Sequence, residues 1–293
     1  MGVSEQTESH GERAQLAAEL RRLRDQAGIS GRELATGIGN ISQSKVSRIE
    51  AGTAMPTLVQ VERWADLTKA SPAAKQALIR LAERAFTEIH TWRMSLQGRP
   101  HRQDDVGERE AQARMTRTFQ PTIVPGLLQT AQYARQVFGL SPLPNVREGI
   151  PAAVASRLDR QLALYEPERR FEFLITEGAL RWCPGPDAPN LLTPQLDRIV
   201  SLSTMDNVSI GIIPDGRQAL AFAAHGFVIY EGHDVDDTFV SVEAIHAGIT
   251  VHDPESIDIY QRTWSTLTQM AVFDDEARRL VAELFSDFRA CAK

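Results

Sequence analysis

Apolar residues recur at helical spacing through the first part of the chain. Between residues 13 and 88 they fall three or four positions apart, as on one face of an amphipathic helix. Ser or Thr precedes most of these runs and glycine follows the first three, as is typical of helix starts and ends. The spacing predicts five short helices around one core. Their expected inward residues are Leu16, Leu20, Leu23, Leu34, Ala35, Ile38, Val46, Ile49, Leu58, Val61, Trp64, Leu67, Ala77, Leu78, Leu81 and Ala85.

A different pattern occupies the rest of the chain. Residues 1–12 lack an apolar period and predict a disordered tail, residues 13–88 form the helical domain, and residues 89–118 are a polar connector. Residues 119–293 mix strand and helix patterns, which predicts an α+β domain for regulation or dimerisation. The expected strands are Phe171–Thr176, Val208–Pro214, Phe227–Glu231 and Thr238–Ile245. The expected helices are Thr130–Phe138, Pro151–Leu164, Gln195–Leu202, Pro254–Met270 and Asp274–Arg289.

The composition is that of a soluble globular protein. The chain is 42% hydrophobic and 24% charged, and no apolar run approaches the roughly 20 residues of a membrane span. Because the first residues are polar and show no secretory signal, we expect no membrane partner and a cytoplasmic location, nucleoid-associated when the protein is bound to DNA. Cys183 and Cys291 lie far apart and outside any metal-ligand spacing, so we interpret them as reduced thiols.

The net charge of −6 is unusual for a nucleic-acid-binding protein, but its distribution is uneven. Residues 13–84 hold 12 of the 32 Lys and Arg residues and only 7 of the 38 Asp and Glu residues. Duplex DNA attracts a local basic surface rather than responding to the total charge of a chain. The balance therefore predicts that double-stranded DNA binds the front of the molecule alone.

The segment from residue 29 to residue 52 predicts two short amphipathic helices joined by a glycine-rich turn at Gly37, Gly39 and Asn40. Its second helix carries polar side chains opposite the inward-facing Val46 and Ile49. Gln pairs with adenine edges, Arg and Lys with guanine or phosphate, and Ser with either base or phosphate groups. The residues expected to bind DNA are Arg32, Ser42, Gln43, Ser44, Lys45, Ser47 and Arg48.

This segment resembles the helix-turn-helix of phage-repressor-like (Cro/CI, or XRE-type) regulators. The resemblance is carried by Glu33-Leu34-Ala35 and by the run from Ser42 to Gly52, and it implies a lambda-repressor-like five-helix domain. In that family the third helix enters the major groove, so the resemblance implies that Gln43, Ser44 and Lys45 specify the sequence. A bundle of helices that binds protein instead of DNA is the alternative.

The same resemblance implies one structural ion pair. Arg24 and Glu50 match positions that commonly form a partly buried pair at the ends of the first and third helices. We predict that this pair stabilises the domain and does not contact DNA.

The second half of the chain also resembles a known group. Residues 124–130 (Val-Pro-Gly-Leu-Leu-Gln-Thr), Arg157 with Arg160-Gln161, and residues 177–181 (Glu-Gly-Ala-Leu-Arg) are similar to the C-terminal, Scr1-like or antitoxin-like domain of unknown function in a large family of actinobacterial regulators. The resemblance implies a transcription regulator that is controlled through this domain. It also implies a possible small protein partner encoded nearby.

Three roles stay open for this α+β domain: homodimerisation, binding of a small-molecule ligand, and capture of a small protein. The helix Ile257–Met270, with Ile259, Trp264, Leu267 and Met270, supplies either an apolar interface or ordinary core packing. The alternative function is an antitoxin-like module that neutralises a small partner protein. Such a module would still act on its partner after mutation of the third helix.

The motifs do not favour an enzyme or a cofactor. The sequence lacks a GxGxxG or Walker phosphate loop and a GxSxG elbow, so we expect no catalytic residues and no cofactor. The run His233-Asp234 with Asp236-Asp237 is better interpreted as an acidic surface turn than as a metal site, because no second ligand lies at a suitable spacing. For Glu177, structural hydrogen bonding is favoured over general acid–base work.

Overall fold

The computed structural model describes residues 5–39, 41–91, 113–142, 147–186, 188–232 and 237–291. The chain divides into two compact units. The first contains Met1–Thr91 and Ala247–Ile257, and the second contains Trp92–His246 and Asp258–Lys293. The first unit therefore takes a short piece of chain from within the predicted α+β region.

Helices make up the first part of the first unit, as the apolar spacing predicts. They are α1 (Glu5–Ala27), α2 (Gly31–Ile38), α3 (Gln43–Glu50), α4 (Leu58–Leu67) and α5 (Pro72–Ala85). Side chains of Ser30, Ser42, Thr57 and Ser71 cap the second to fifth by accepting a backbone N–H three residues on. The core that they share is built from the expected inward residues, with Trp64 and Leu20 fully buried. Ala77 is the exception, because it lies on the exposed side of α5.

Two local features differ from the sequence-based prediction. Helix α1 begins at Glu5, so residues 5–12 are helical where a disordered tail is expected, and Glu12 forms an ion pair with Arg84 of α5. Gly37 does not end α2, because the helix runs to Ile38 and Gly39 follows it with φ of 90°. A Cβ on Gly37 would lie 2.8 Å from Leu67 Cδ1, so this glycine allows α2 to pack closely on α4.

A pair of strands completes the first unit. Strand β1 (Thr87–Thr91) directly follows α5 and pairs antiparallel with a strand from far along the chain, Ala247–Val251, which is β7 in chain order. Neither strand is anticipated by the hydrophobic pattern. Strand β1 lies where the expected helical domain meets the expected connector, and β7 follows the last expected strand. The register places Thr87 opposite Val251 and Ile89 opposite Ile249.

The second unit contains a mixed parallel and antiparallel arrangement of strands. These are β2 (Met115–Gln120), β3 (Arg170–Thr176), β4 (Val208–Ile213), β5 (Phe227–Glu231) and β6 (Phe239–Glu243). Their order is β6-β5-β2-β3-β4, with β2, β3 and β4 mutually parallel and β5 antiparallel to both neighbours. The last four match the expected strands closely, whereas β2 begins inside the expected connector.

Helices pack on this sheet. They are α6 (Ala131–Gly139), α7 (Ile150–Arg160), α8 (Glu177–Arg181), α9 (Ala188–Leu202), α10 (Pro254–Met270) and α11 (Asp274–Cys291), with 3-10 turns at Gly126–Leu128 and Gln161–Tyr165. Apolar residues of α9 and α11 share one core with β3 and β4. A helical first part followed by an α+β part confirms the predicted fold class.

The apolar residues of α10 were expected to form either an interface or part of the core, and most of them belong to the core. Trp264, Leu267 and Met270 are all buried, so they belong to the core. Tyr260 packs on Phe227 of β5 with ring centroids 5.1 Å apart. Ile259 is 57% exposed, so it alone among the four named apolar residues of this helix is available for an interface.

Candidate nucleic-acid interface

Helices α2 and α3 are held against the core by their apolar faces. Leu34, Ala35 and Ile38 of α2 are buried, as are Val46 and Ile49 of α3. Since Val46 and Ile49 lie three residues apart, they fix the rotation of α3 about its own axis. The opposite face of α3 is consequently presented to solvent.

Exposed polar side chains cluster at the start of α3. Ser42, Gln43, Ser44 and Ser47 are all exposed. The Ser42 hydroxyl accepts a hydrogen bond from the Lys45 backbone N–H at 3.1 Å, so it acts as the N-cap of α3. Gln43 lies beside Gly31, whose added Cβ would stand 3.8 Å from Gln43 Cγ. The start of α3 therefore offers amide and hydroxyl groups with room around them, as base recognition requires.

Lys45 is placed differently from its neighbours on α3. Its side chain is buried, with only 3% of its surface exposed. The cause is helical geometry, because Lys45 lies one turn before the buried Ile49 and shares its side of the helix. In this position its ammonium nitrogen is buried together with its stem, so a base contact requires the side chain to adopt a different, outward conformation.

The two arginines predicted to contact DNA lie on separate helices. Arg32 is exposed at the start of α2, and Arg48 is half-buried in the last turn of α3. The Arg48 carbonyl accepts hydrogen bonds from Thr53 N at 2.8 Å and Ala54 N at 3.2 Å, which closes the C-terminus of α3. Arg32 thus offers its guanidinium freely to a phosphate, whereas the Arg48 backbone also shapes the following loop.

A capping box of two reciprocal hydrogen bonds fixes the start of α2, next to Arg32. Ser30 accepts from the Glu33 N–H at 3.2 Å, and Glu33 Oε2 accepts from the Ser30 N–H at 2.8 Å. The backbone hydrogen bond from Ser30 lowers the pKa of the Glu33 carboxyl, which stays ionised at the positive end of the helix dipole.

Arg24 and Glu50 form a bidentate ion pair between α1 and α3. Arg24 Nη2 lies 2.9 Å from Glu50 Oε2, and the two side chains are only 16% and 12% exposed. Arg24 Nη1 also donates to the carbonyl of Ile29 at 3.1 Å, just before α2. The hydrogen bond to Glu50 raises the pKa of the Arg24 guanidinium. This one arginine therefore links α1, the start of α2 and the end of α3.

Two positioning residues of α4 are not anticipated from the sequence. Arg63 Nη1 donates to the carbonyl of Ile38 at the end of α2, and Trp64 Nε1 donates to the carbonyl of Leu20 at 3.1 Å. A buried tryptophan signals that its N–H needs an acceptor, but sequence spacing does not identify an acceptor 44 residues away. The Arg63 bond anchors the end of α2 just before the turn to α3, and the Trp64 bond ties α4 to α1.

Comparison with known protein families agrees with this geometry. A helix-turn-helix domain model matches residues 15–78, which cover the second half of α1, all of α2 to α4 and the first half of α5. A second model, described as a domain of unknown function (DUF5753), matches residues 103–283, more than half of the chain. The chain belongs to the DUF5753 family. Its DUF5753 region includes β7, which folds with the helix-turn-helix unit.

Wider comparisons add little to this assignment. No curated protein matches the chain. Among solved structures, the archaeal chromatin protein TrmBL2, described as showing a novel mode of DNA binding, is 11% identical with a TM-score of 0.29. The match covers 72% of this chain and 65% of TrmBL2, so the chain spans just under two thirds of that protein's length. A TM-score this low does not establish a shared fold.

Glu177 of the DUF5753 region is held by hydrogen bonds at both carboxylate oxygens. Glu177 Oε1 accepts from Arg181 Nε at 2.9 Å and its Oε2 accepts from the Asp215 N–H at 3.0 Å, so this carboxylate joins α8 to the turn after β4. No group of three His, Cys, Asp or Glu side chains suited to a metal occurs within the described ranges. Residues 233–236, three of which belong to the acidic turn considered as a metal site, lie outside those ranges.

The helices that the structure describes include none long and apolar enough to cross a membrane.

Proposed function

We propose that the chain is a sequence-specific DNA-binding transcription regulator that inserts α3 into the major groove. The observation that carries this proposal is the arrangement of α3 within its helix-turn-helix domain. Buried Val46 and Ile49 fix the helix, while Gln43, Ser44 and Ser47 project from its exposed face. A recognition helix reads bases through side chains near its N-terminus in this way.

Each predicted residue has a distinct role in this proposal. Gln43 and Ser44 contact base edges, because they are exposed at the tip of α3. Arg32 and Arg48 contact phosphates, and Lys45 contributes once DNA draws its ammonium outward. Ser42 keeps its capping bond, so it positions α3 rather than reading bases.

The finer assignments follow from the sequence resemblances. We place the helix-turn-helix in the XRE type and the DUF5753 region among Scr1-like domains of actinobacterial regulators. The regulator is proposed to act as a cytoplasmic homodimer whose two recognition helices meet half-sites about 34 Å apart, nucleoid-associated when bound. Its DUF5753 region is proposed to control it through dimerisation, a small ligand or a small protein partner.

A second candidate function, an antitoxin-like module that captures a small protein, is favoured by one surface of the DUF5753 region. Leu158, Leu162 and Tyr165 form an apolar stripe along α7 and the following turn, with exposures of 37%, 65% and 58%. Leu162 and Tyr165 lie three residues apart in the 3-10 turn and so share one side of it, and Leu158 lies in the last turn of α7 just before them. A module of this kind would still bind its protein partner after substitution of Gln43 and Ser44, whereas a sequence-specific DNA-binding protein would no longer bind its DNA sites.

The main test is selection of duplexes from a random pool by the full-length protein. The variant Gln43→Ala/Ser44→Ala is expected to lose sequence preference and 10- to 100-fold in affinity for the selected site, as each good base contact contributes about 1–3 kcal/mol. Gln76→Ala is the matched control, since Gln76 is an exposed glutamine on α5. Enrichment of the same motif by native protein and α3 variant alike would refute the proposed recognition helix.

A second prediction separates phosphate from base contacts. Arg32→Ala is expected to weaken binding to all sequences to a similar extent and to reduce the slope of log K against log salt by about 1. Arg80→Ala, which removes an exposed arginine from α5, should leave that slope unchanged. Titrations at several salt concentrations measure both. A loss confined to one preferred sequence would instead assign Arg32 to base recognition.

A further inference from the structure

The helix-turn-helix unit is discontinuous in sequence. Its helices end with α5, the chain leaves it after Thr91, and residues 247–257 return to it from within the DUF5753 match. Within those residues, β7 pairs with all five residues of β1. The DNA-binding unit therefore carries one strand that belongs by family to the regulatory part of the chain.

Three residues of this returning strand are buried, and the chain directly after it is hydrogen-bonded to the end of α5. Ala247, Thr250 and Val251 are 1%, 2% and 7% exposed. Directly after the strand, the His252 N–H donates to the carbonyl of Phe86 at 2.9 Å. Phe86 is itself buried in the same core that holds Trp64 and Ile49. Loss of β7 would thus remove the strand paired with β1 and the donor to Phe86, a residue of the core on which α3 packs.

Both ends of β7 are joined to the second unit by short stretches of chain. Only Ala244–His246 separate β6 from β7, and the chain re-enters the second unit at Asp258, within α10. Three extended residues span at most about 11 Å. A rearrangement that displaces β6 or α10 by more than the slack in these links must therefore pull on β7.

We infer that the DUF5753 region controls the affinity of the protein for DNA through β7. When β7 is paired with β1 the helix-turn-helix unit binds DNA with high affinity, and release of β7 lowers that affinity. The inference rests on the proposed DNA-binding function. Its physical basis is linkage, since a state with β7 released binds DNA less well and DNA in turn favours the paired state.

The test compares variants of the full chain in which β7 is released or locked. Val251→Asp places a carboxylate in the buried end of β7, and Ile245→Asp makes the same kind of change at a residue that is 84% exposed just before the strand. We expect Val251→Asp to reduce affinity for the selected duplex at least tenfold, and Ile245→Asp to change it less than twofold.

The lock is a reversible disulfide between Ile89→Cys and Ile249→Cys, with Cys183→Ser and Cys291→Ser to remove the native thiols. Ile89 and Ile249 are direct register partners. The His252-to-Phe86 bond makes them a non-hydrogen-bonded pair, with Cα atoms about 4.5 Å apart, within disulfide range. Oxidation in the Val251→Asp background is expected to restore affinity to within about threefold of the native chain, and reduction to remove it again.

Hydrogen exchange of residues 87–91 and 247–251 reports the pairing in each variant, and exchange of α1 to α5 reports the rest of the unit. Affinity that follows protection of the β7 amides, with α1 to α5 still protected, supports the inference. The inference is wrong if DNA affinity does not change with the protection of the β7 amides. It is also wrong if α1 to α5 lose protection throughout and oxidation does not restore it. If the native chain bound all duplexes equally well, or did not bind DNA, the proposed DNA-binding function itself would be wrong.

Discussion

Replacing Glu50 by alanine is expected to lower the free energy of unfolding of the helix-turn-helix unit by about 3 kcal/mol. The change leaves the Arg24 guanidinium, which is only 16% exposed, without its main carboxylate partner. It also frees the end of α3 from α1, because the pair joins the two helices. Hydrogen exchange of slow amides in α1 and α3 measures the effect, which avoids assuming that the two units unfold together.

A double-mutant cycle separates the pair from its surroundings. Arg24→Ala and Glu50→Ala should each cost more than half of what the double variant costs, because removing the second partner relieves an unpaired charge. The exposed pair Arg22–Glu19 is the matched control, with side chains 47% and 37% exposed, and Glu19→Ala should cost less than about 1 kcal/mol. Unchanged stability with weakened DNA binding would move Glu50 from a structural role to the interface.

Local signals were sufficient to predict the five helices of the helix-turn-helix unit, but not its two strands. Capping residues such as Ser42 and Thr57 mark helix starts by their own hydrogen bonds, and apolar spacing marks the buried face. Exposure of individual polar residues was harder to predict. Lys45 has a side chain suited to the major groove, yet the turn of α3 places it on the side of Ile49. Residue type suggests what a side chain is able to bind, and the helix phase decides whether it faces outward.

Long-range pairing explains the strands that the pattern did not predict. Strand β2 is central, with β3 on one side and β5 on the other, so its Thr116 and Thr118 are buried although they are polar. Arg117 on the same strand is paired with Glu172 and Glu231 of the neighbouring strands. A polar composition made this segment resemble a connector, because the partners that satisfy it lie 55 residues or more away.

The conspicuous motif at residues 124–130 has a structural explanation that the sequence did not reveal. Three of its backbone carbonyls accept hydrogen bonds from glutamine side chains, one within the motif and two from elsewhere in the chain. Gln129 Nε2 donates to Val124 O at 2.7 Å, Gln161 Nε2 donates to Gln129 O at 2.7 Å, and Gln195 Nε2 donates to Leu128 O at 2.8 Å. The proline and glycine of this motif disfavour a regular α-helix, and buried side-chain amides bond the carbonyls instead.

Replacing Gln195 by leucine is accordingly expected to lower the free energy of unfolding of the second unit by about 2–5 kcal/mol. Gln195 is fully buried, and its amide bonds both the Leu128 carbonyl and the Thr130 N–H at 2.8 Å. Leucine has a similar volume but leaves both backbone groups buried and unpaired, at about 1–3 kcal/mol each. Hydrogen exchange of α6 and β3 measures the loss.

The control is Gln218→Leu, which makes the same change at an exposed glutamine and should alter stability by less than about 0.5 kcal/mol. Gln195→Glu keeps the acceptor for Thr130 N–H but turns the donor toward Leu128 O into a second acceptor, so it should also destabilise the unit. Fast exchange limited to residues 124–130 would show that the motif opens locally while α6 and β3 stay folded. Exchange spreading through β3 would show that the buried amide joins the motif cooperatively to the sheet. Native-like exchange in Gln195→Leu would mean that the segment finds other partners, which contradicts the assignment.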